Sequence, residues 1–343
     1  MLEKIILGTY TKRESQGIYE ITLDSSNGKL TNLTHTITAT NPTFVGRAIN
    51  NCLYTVGTIE GKGGMLAYKP TEDMHYDLLN AVTDDGASPC YVGIDNDRQL
   101  VFGANYHKGQ VTSYKINSDG SITLADTVQH IGQGPHENQT SAHAHYADLT
   151  PDKRLVACDL GTDTVYTYDV TLDGKLTEIA TFKATPGTGP RHLVFHPTNQ
   201  VAYLFGELAN TVTVLSYDVQ TGTFTEKQTL STLPTDFKGF SGGAAIRISN
   251  DGRFVYVSNR GHNSIAVFET KNEGNTLELI QLISSEGDFP RDFDLNKTEE
   301  FLIVSHQNSD NLTVFTRNAK TGCLELKEKD IYAPECVCTY FVN

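Results

Sequence analysis

The sequence predicts an all-β fold, a seven-bladed β-propeller of four-stranded antiparallel blades. Three observations carry this: a strand-like block that recurs seven times, a recurrence interval of blade length, and a phase offset between the chain ends. The block is a β-rich run closed by a polar or glycine-bearing tripeptide. It reads IILGTY (5–10), LYTVGT (53–58), LVFGANY (100–106), LVACDLG (155–161), AYLFGEL (202–208), FVYVSNRG (254–261) and FLIVSHQ (301–307). Counted from Gly8 through Gly57, Asn105, Asp159, Gly206, Asn259 and His306, the intervals are 49, 48, 54, 47, 53 and 47 residues. Spacing of this kind marks propeller blades.

A second block precedes most of these, as NPTFV, SPCYV, AHAHYADL, GPRHLVF, GGAAIRI, FPRDFDL and APECVCTYF, again seven in number. A third follows, with the period-two alternation of half-buried strands: GIYEITL, VTSYKI, VYTYDV, VTVLSYDV, IAVFET, LTVFTR and the weaker MLAYKP. Turn pairs Asn27-Gly28, Asp119-Gly120, Asp173-Gly174, Thr221-Gly222 and Thr321-Gly322 then lead into a fourth strand such as KLTEIATF. Each unit is therefore a meander of strands A, B, C and D. The chain begins at a B strand and ends at an A strand. Residues near 335–342 are thus expected to complete the blade begun by residues 4–37 and to close the ring, which protects sheet edges. One domain over residues 1–343 is expected, with no low-complexity linker.

Composition narrows the function classes. The apolar run Ile5–Leu7 is too short for a signal-peptide core or a membrane span, so a soluble, unexported, cytoplasmic protein is expected. Six scattered cysteines fit reduced thiols better than a disulfide framework; Cys336 and Cys338, two apart on a strand, would face one side. A formal charge of −14 disfavours nucleic acid and anionic membrane as partners, while arginines focused in a cleft still suit a small anion. Tryptophan is absent, which argues against the Trp-Asp repeat scaffolds.

If strand A leaves one face and B returns to it, A-strand starts and B-strand ends share that face. Aligning the A strands on their Pro position makes Thr43, Cys90, His143, Arg191, Gly243, Arg291 and Glu335 equivalent. At the B-strand ends Tyr106, Leu160, Glu207, Arg260 and Gln307 are equivalent. Counting blades from the one the termini share, His143 and His145 fall in the fourth, Arg191, His192 and Glu207 in the fifth, Arg260 in the sixth and Arg291 in the seventh. Arginine's planar fork suits bidentate clamping of carboxylate or phosphate. His143, Arg191, Glu207 and Arg260 are the candidate catalytic residues: base or base-orienting groups in His143 and Glu207, oxyanion stabilisation by arginine. His145, His192 and Arg291 are the candidate substrate-binding residues. Structural roles stand beside each: His143 and His145 as hydrogen-bonded strand histidines or metal ligands, Arg260 and Arg291 as bridges between blades. No metal ligand set and no cofactor is expected. His107, His262 and His306 are read as surface residues, and the loop around His136 and Glu137 as exposed.

The segments SQGIYEITL, FGANYHKGQV, SAHAH, DLGTD, GPRHLVFHP, GEL, DGRFVYVSNRGHNSIAVF and FPRDFDL, in order along nearly the whole chain, resemble the β-propeller 6-phosphogluconolactonase family. Its superfamily includes carboxymuconate cyclases. The resemblance implies hydrolysis of 6-phospho-D-glucono-1,5-lactone to 6-phosphogluconate in the pentose phosphate pathway, with active residues falling on His143, Arg191, Glu207 and Arg260. The implied partner is a small anionic sugar lactone, and the chain is expected to be a monomer or weak homo-oligomer. A muconate-type cycloisomerase and a non-enzymatic binding propeller are the alternatives, separated by assaying muconates against lactones.

Overall fold

The computed structural model describes residues 1–71, 75–198 and 200–342. Among the described residues all regular structure is strand, and the strands pair into seven antiparallel sheets of four, the seven blades expected from the repeat. By contact the chain divides into two compact units. One comprises Met1–His35, His192–Tyr217 and Thr225–Asn343, the other Thr36–Arg191 and Asp218–Phe224.

In the first unit the last strand, Cys336–Phe341, pairs with the first, Leu2–Thr9, in the register Ile5↔Phe341, Leu7↔Thr339 and Thr9↔Cys336. The phase offset between the chain ends is resolved in this pairing: the terminal A strand completes the first blade. Alternation decides which side chains face the neighbouring blade. Ile5, Leu7, Ile21 and Leu23 of the first blade pack on Phe301, Ile303, Leu312 and Val314 of the seventh. Tyr256 and Val267 of the sixth pack on Phe293, Leu302 and Phe315 of the seventh, and Tyr203, Phe205 and Val214 of the fifth on Val255, Val257 and Phe268 of the sixth. In the second unit, Tyr54, Val56 and Met65 pack on Val92, Val101 and Tyr114 in the same way. Blades are thin, so each core lies between two of them, and burying such β-branched and aromatic side chains is worth about 1.5–3 kcal/mol apiece.

The turn glycines do more than reverse the chain. Tyr54 Oη donates to the carbonyl of Gly120 (3.0 Å), Tyr203 Oη to that of Gly274 (2.9 Å) and Tyr256 Oη to that of Gly322 (2.9 Å), each from one blade to the C–D hairpin of the next. Gly322 has φ +71°, and a Cβ there would meet the Phe254 ring at 2.2 Å, so the hairpin can nest against its neighbour only without a side chain.

His306 departs from its expected surface position. It ends a B strand, but its ring is 0% exposed, with Nδ1 3.1 Å from the carbonyl of Asn311. Gly287 crowds it, since a Cβ there would meet the ring at 2.4 Å. Burial disfavours the imidazolium and brings the pKa from 6.5 down to about 4, although backbone carbonyls and Asp288 pull the other way. The unfolded chain therefore binds the proton more readily. The stability contributed by the neutral ring is complete above pH 6.5 and is lost as pH falls toward 4. The total is about 3 kcal/mol. Urea midpoints measured between pH 7 and 4.5 should show a steeper acid loss for the wild type than for His306→Gln; parallel curves would refute the assignment.

Candidate active site

In the first unit Glu207 follows the B strand of the fifth blade and Arg260 ends that of the sixth, and their side chains meet. Arg260 Nη2 lies 2.9 Å from Glu207 Oε1 and donates to the carbonyl of Gly243 at 2.8 Å, while Nε donates to that of Gly242 at 3.3 Å. Its guanidinium is 5.4 Å from the centre of the Phe289 ring. Gly242 permits this approach, because a Cβ would stand 3.2 Å from Nη2. The Arg260 side chain is only 9% exposed, and the remaining nitrogen, Nη1, makes none of these bonds. Phe289 itself is held at φ +68°, a conformation that costs a bulky residue energy. Asn263 Oδ1 accepts its N–H at 3.0 Å, and its carbonyl accepts the N–H of Gln307 at 3.1 Å.

Arg291 follows two residues later. Its Nη1 donates to Gln307 Oε1 at 3.1 Å, and its guanidinium lies 5.4 Å from the centre of the Tyr10 ring. His192 is buried in the same unit.

In the second unit His143 precedes the strand Ala144–Leu149 and stacks on Tyr106 with ring centres 4.3 Å apart and planes 8° from parallel. Its Nδ1 is 2.7 Å from the Tyr106 carbonyl. A carbonyl only accepts, so Nδ1 carries the proton and, in the neutral ring, Nε2 is left as the basic nitrogen. Gly161 makes the position possible: a Cβ there would meet the Ser141 carbonyl at 1.9 Å and His143 Cδ2 at 2.9 Å. Beneath, the buried Asp159 accepts the N–H of His143 (2.8 Å) and of Thr162 (3.0 Å) on Oδ1, and its Oδ2 is 2.7 Å from His130 Nδ1. His130 Nε2 is in turn 2.7 Å from Tyr168 Oη. His145 and Arg191, 5% and 3% exposed, complete the expected residues of this unit.

The strand register corrects one alignment. Ala144 pairs with Asp159 and Tyr146 with Cys158, leaving His145 as the extra residue of a β-bulge. Pro290 pairs with His306 and Asp292 with Ser305, leaving Arg291 in the same role. The position equivalent to that of Arg291 is therefore held by His145, not His143. His143 corresponds instead to Phe289 and Glu335, whose carbonyls accept from Gln307 and Tyr10 as that of His143 accepts from Leu160. In both of these blades the bulge re-aims a side chain at the A-strand start, and an alignment on proline cannot register it. The same ladder places Tyr10 level with Leu160 and Gln307, so Tyr10 belongs to the candidate set; its position at the end of IILGTY was the available signal. Among the described residues no cluster of three His, Cys, Asp or Glu side chains could hold a metal ion.

Compared with known proteins, residues 4–341 match the family model described as Lactonase, 7-bladed beta-propeller. The chain belongs to this lactonase family. It is 42% identical over 341 residues to the 6-phosphogluconolactonase of Bacillus subtilis, covering 98% of this chain and 97% of that one. A crystal structure of a Lactobacillus plantarum protein, 48% identical, matches the whole of both chains with a TM-score of 0.98. The periplasmic gluconolactonase of Pseudomonas aeruginosa, 28% identical, matches with a TM-score of 0.93 over 100% of this chain and 99% of its own. The lactonase family membership agrees with the resemblance read from the sequence motifs.

Proposed function

We propose that this lactonase-family protein hydrolyses 6-phospho-D-glucono-1,5-lactone to 6-phosphogluconate, the lactone-opening step of the pentose phosphate pathway. The observation that carries the reading is the likeness, over 98% of the chain, to a protein named for that activity. The side chains supply the chemistry such a step needs. Water attacks the lactone carbonyl carbon, the carbonyl oxygen becomes an oxyanion, and collapse breaks the bond to the ring oxygen, which leaves as a hydroxyl after taking a proton. Arg260, its guanidinium fixed by Glu207 and two carbonyls, offers Nη1 to the oxyanion. His143, with Nε2 as its basic nitrogen, takes the proton from water and returns it to the ring oxygen. Glu207 orients Arg260. The substrate-binding candidates are Arg291 and His192 in the unit of Arg260, and Arg191 and His145 in that of His143. Acid, base and oxyanion assistance suffice for an activated ester, so the reaction calls for no cofactor. The six free cysteines fit a reducing compartment, which supports placing the reaction in the cytoplasm.

The test is turnover of freshly prepared 6-phosphogluconolactone at neutral pH, corrected for spontaneous opening. Rate enhancement is expected in the wild type, and a loss of about 100-fold or more in His143→Ala and in Arg191→Ala, with circular dichroism showing both folded. Wild-type rates in both variants would remove the assignment.

A further inference from the structure

Outside the Glu207–Arg260 pair, the first unit holds a second cationic group, which includes Arg291 and takes no part in making or breaking the bonds of the hydrolysis. Lys12 Nζ lies 4.2 Å from the centre of the Tyr10 ring, and the Arg291 guanidinium 5.4 Å from the same centre. The two cations are thus within about 10 Å of each other, inside the screening length, and repel unless a negative charge offsets them. Neither has a carboxylate partner among the described residues. By contrast Arg13, Arg98, Arg154, Arg247, Arg260 and Arg317 all do. In a chain of net charge −14, two neighbouring cations left without an acid mark a place kept for an outside anion.

The segment that carries Lys12 is fixed in advance. Glu335, 1% exposed and at φ 50°, reaches from just before the last strand. Its carboxylate accepts the backbone N–H groups of Lys12 (2.9 Å), Arg13 (2.8 Å) and Ser15 (3.1 Å), and its carbonyl accepts that of Tyr10 (3.0 Å). Arg13 is tied to Asp310 at 2.6 Å, and Glu14 Oε2 accepts from Tyr332 Oη at 3.0 Å. The acids nearest the segment are thereby committed, and no ordering cost falls on the anion. On the other side Gln307 holds one Arg291 nitrogen, leaving the rest of its fork available. Each cation is drawn to the Tyr10 ring by its quadrupole. Phe289, two residues before Arg291 in the chain, carries Arg260 over its ring at 5.4 Å from the centroid.

We propose that Lys12 and Arg291, set over Tyr10 on a segment clamped by Glu335, form the subsite for the phosphomonoester end of the substrate. The proposal rests on the lactonase reading above and makes these residues the ones that separate a phosphorylated sugar lactone from a plain one. A phosphomonoester carries about −1.5 to −2 charges at neutral pH and three acceptor oxygens, matching an ammonium and an open guanidinium edge.

Calorimetric titration of the full chain with 6-phosphogluconate, gluconate and inorganic phosphate tests it without relying on turnover. 6-Phosphogluconate is expected to bind at least tenfold more tightly than gluconate, with inorganic phosphate competing weakly. Lys12→Gln and Arg291→Gln should each reduce that preference about tenfold. The ratio of kcat/KM for phosphorylated over plain gluconolactone should fall in parallel. Equal affinity for the two acids, or a preference that survives the double substitution, would overturn the subsite. Inorganic phosphate binding as tightly as 6-phosphogluconate would overturn its assignment to a sugar phosphate. Loss of turnover on both lactones with the Lys12- and Arg291-dependent preference intact would defeat the hydrolytic reading and leave the subsite standing.

Discussion

Arg260→Ala is expected to lower kcat/KM for the lactone by about 100- to 1,000-fold, the effect of removing one oxyanion donor. The reasoning starts from how little of this guanidinium is free to do anything else. Nε and Nη2 are spent on two backbone carbonyls and on Glu207, which fixes the plane and leaves Nη1 as the donor that can meet developing charge. A donor already held in place need not reorganise during the reaction, and it acts more strongly where water is sparse. Arg260→Lys should lose nearly as much, because an ammonium cannot satisfy two carbonyls and a carboxylate from one plane while presenting a further N–H. Glu207→Gln keeps an acceptor for Nη2 and should lose less than either. Rates on freshly made lactone, with urea midpoints to confirm folding, decide the order. A loss below tenfold in Arg260→Ala would take this residue out of the reaction.

The repeat was legible because two physical signals coincide in every blade: alternation at period two, and turn residues that allow positive φ. The joining of the two termini in one blade was legible for a related reason, since a chain that starts at B and ends at A leaves one strand to be shared. Register near the site was not. A bulge adds one residue to a strand without changing its composition, so His143 and Arg291 were aligned although His145 is the residue on the ladder level of Arg291. Burial at B-strand ends was misread for His306, since the sequence does not show that Gly287 brings a loop against its ring. Glu207 and Arg260 could be assigned to matching positions, but their contact depends on how neighbouring blades turn, which strand patterning does not encode. The Glu335 clamp joins residues more than 300 positions apart and has no local signature at all.

The buried network beneath His143 is where the largest loss of stability is expected. Asp159 is 0% exposed and accepts from three donors: the backbone N–H groups of His143 and Thr162, and the ring of His130. A carboxylate only accepts, so the neutral His130 ring carries its proton on Nδ1, and Nε2 accepts from Tyr168 Oη, whose pKa burial pushes up. Asp159→Ala would strand all of these donors in a site closed to water, at a cost of about 3–5 kcal/mol. Asp159→Asn keeps one oxygen for the two backbone N–H groups, so its cost should be smaller; its amide N–H faces the His130 Nδ1 proton, a clash that is relieved if the ring changes tautomer and Tyr168 Oη accepts from Nε2. Because Asp159 fixes the backbone at His143, exchanging its carboxylate for the weaker amide acceptor should also lower kcat on the lactone modestly in the Asn variant even where it stays folded. Equilibrium urea unfolding of both variants, followed by turnover of the Asn form, measures the two effects separately. An Asp159→Ala protein within about 1 kcal/mol of the wild type would mean that the three donors find water or other acceptors, and that His143 is held by its Tyr106 contacts alone.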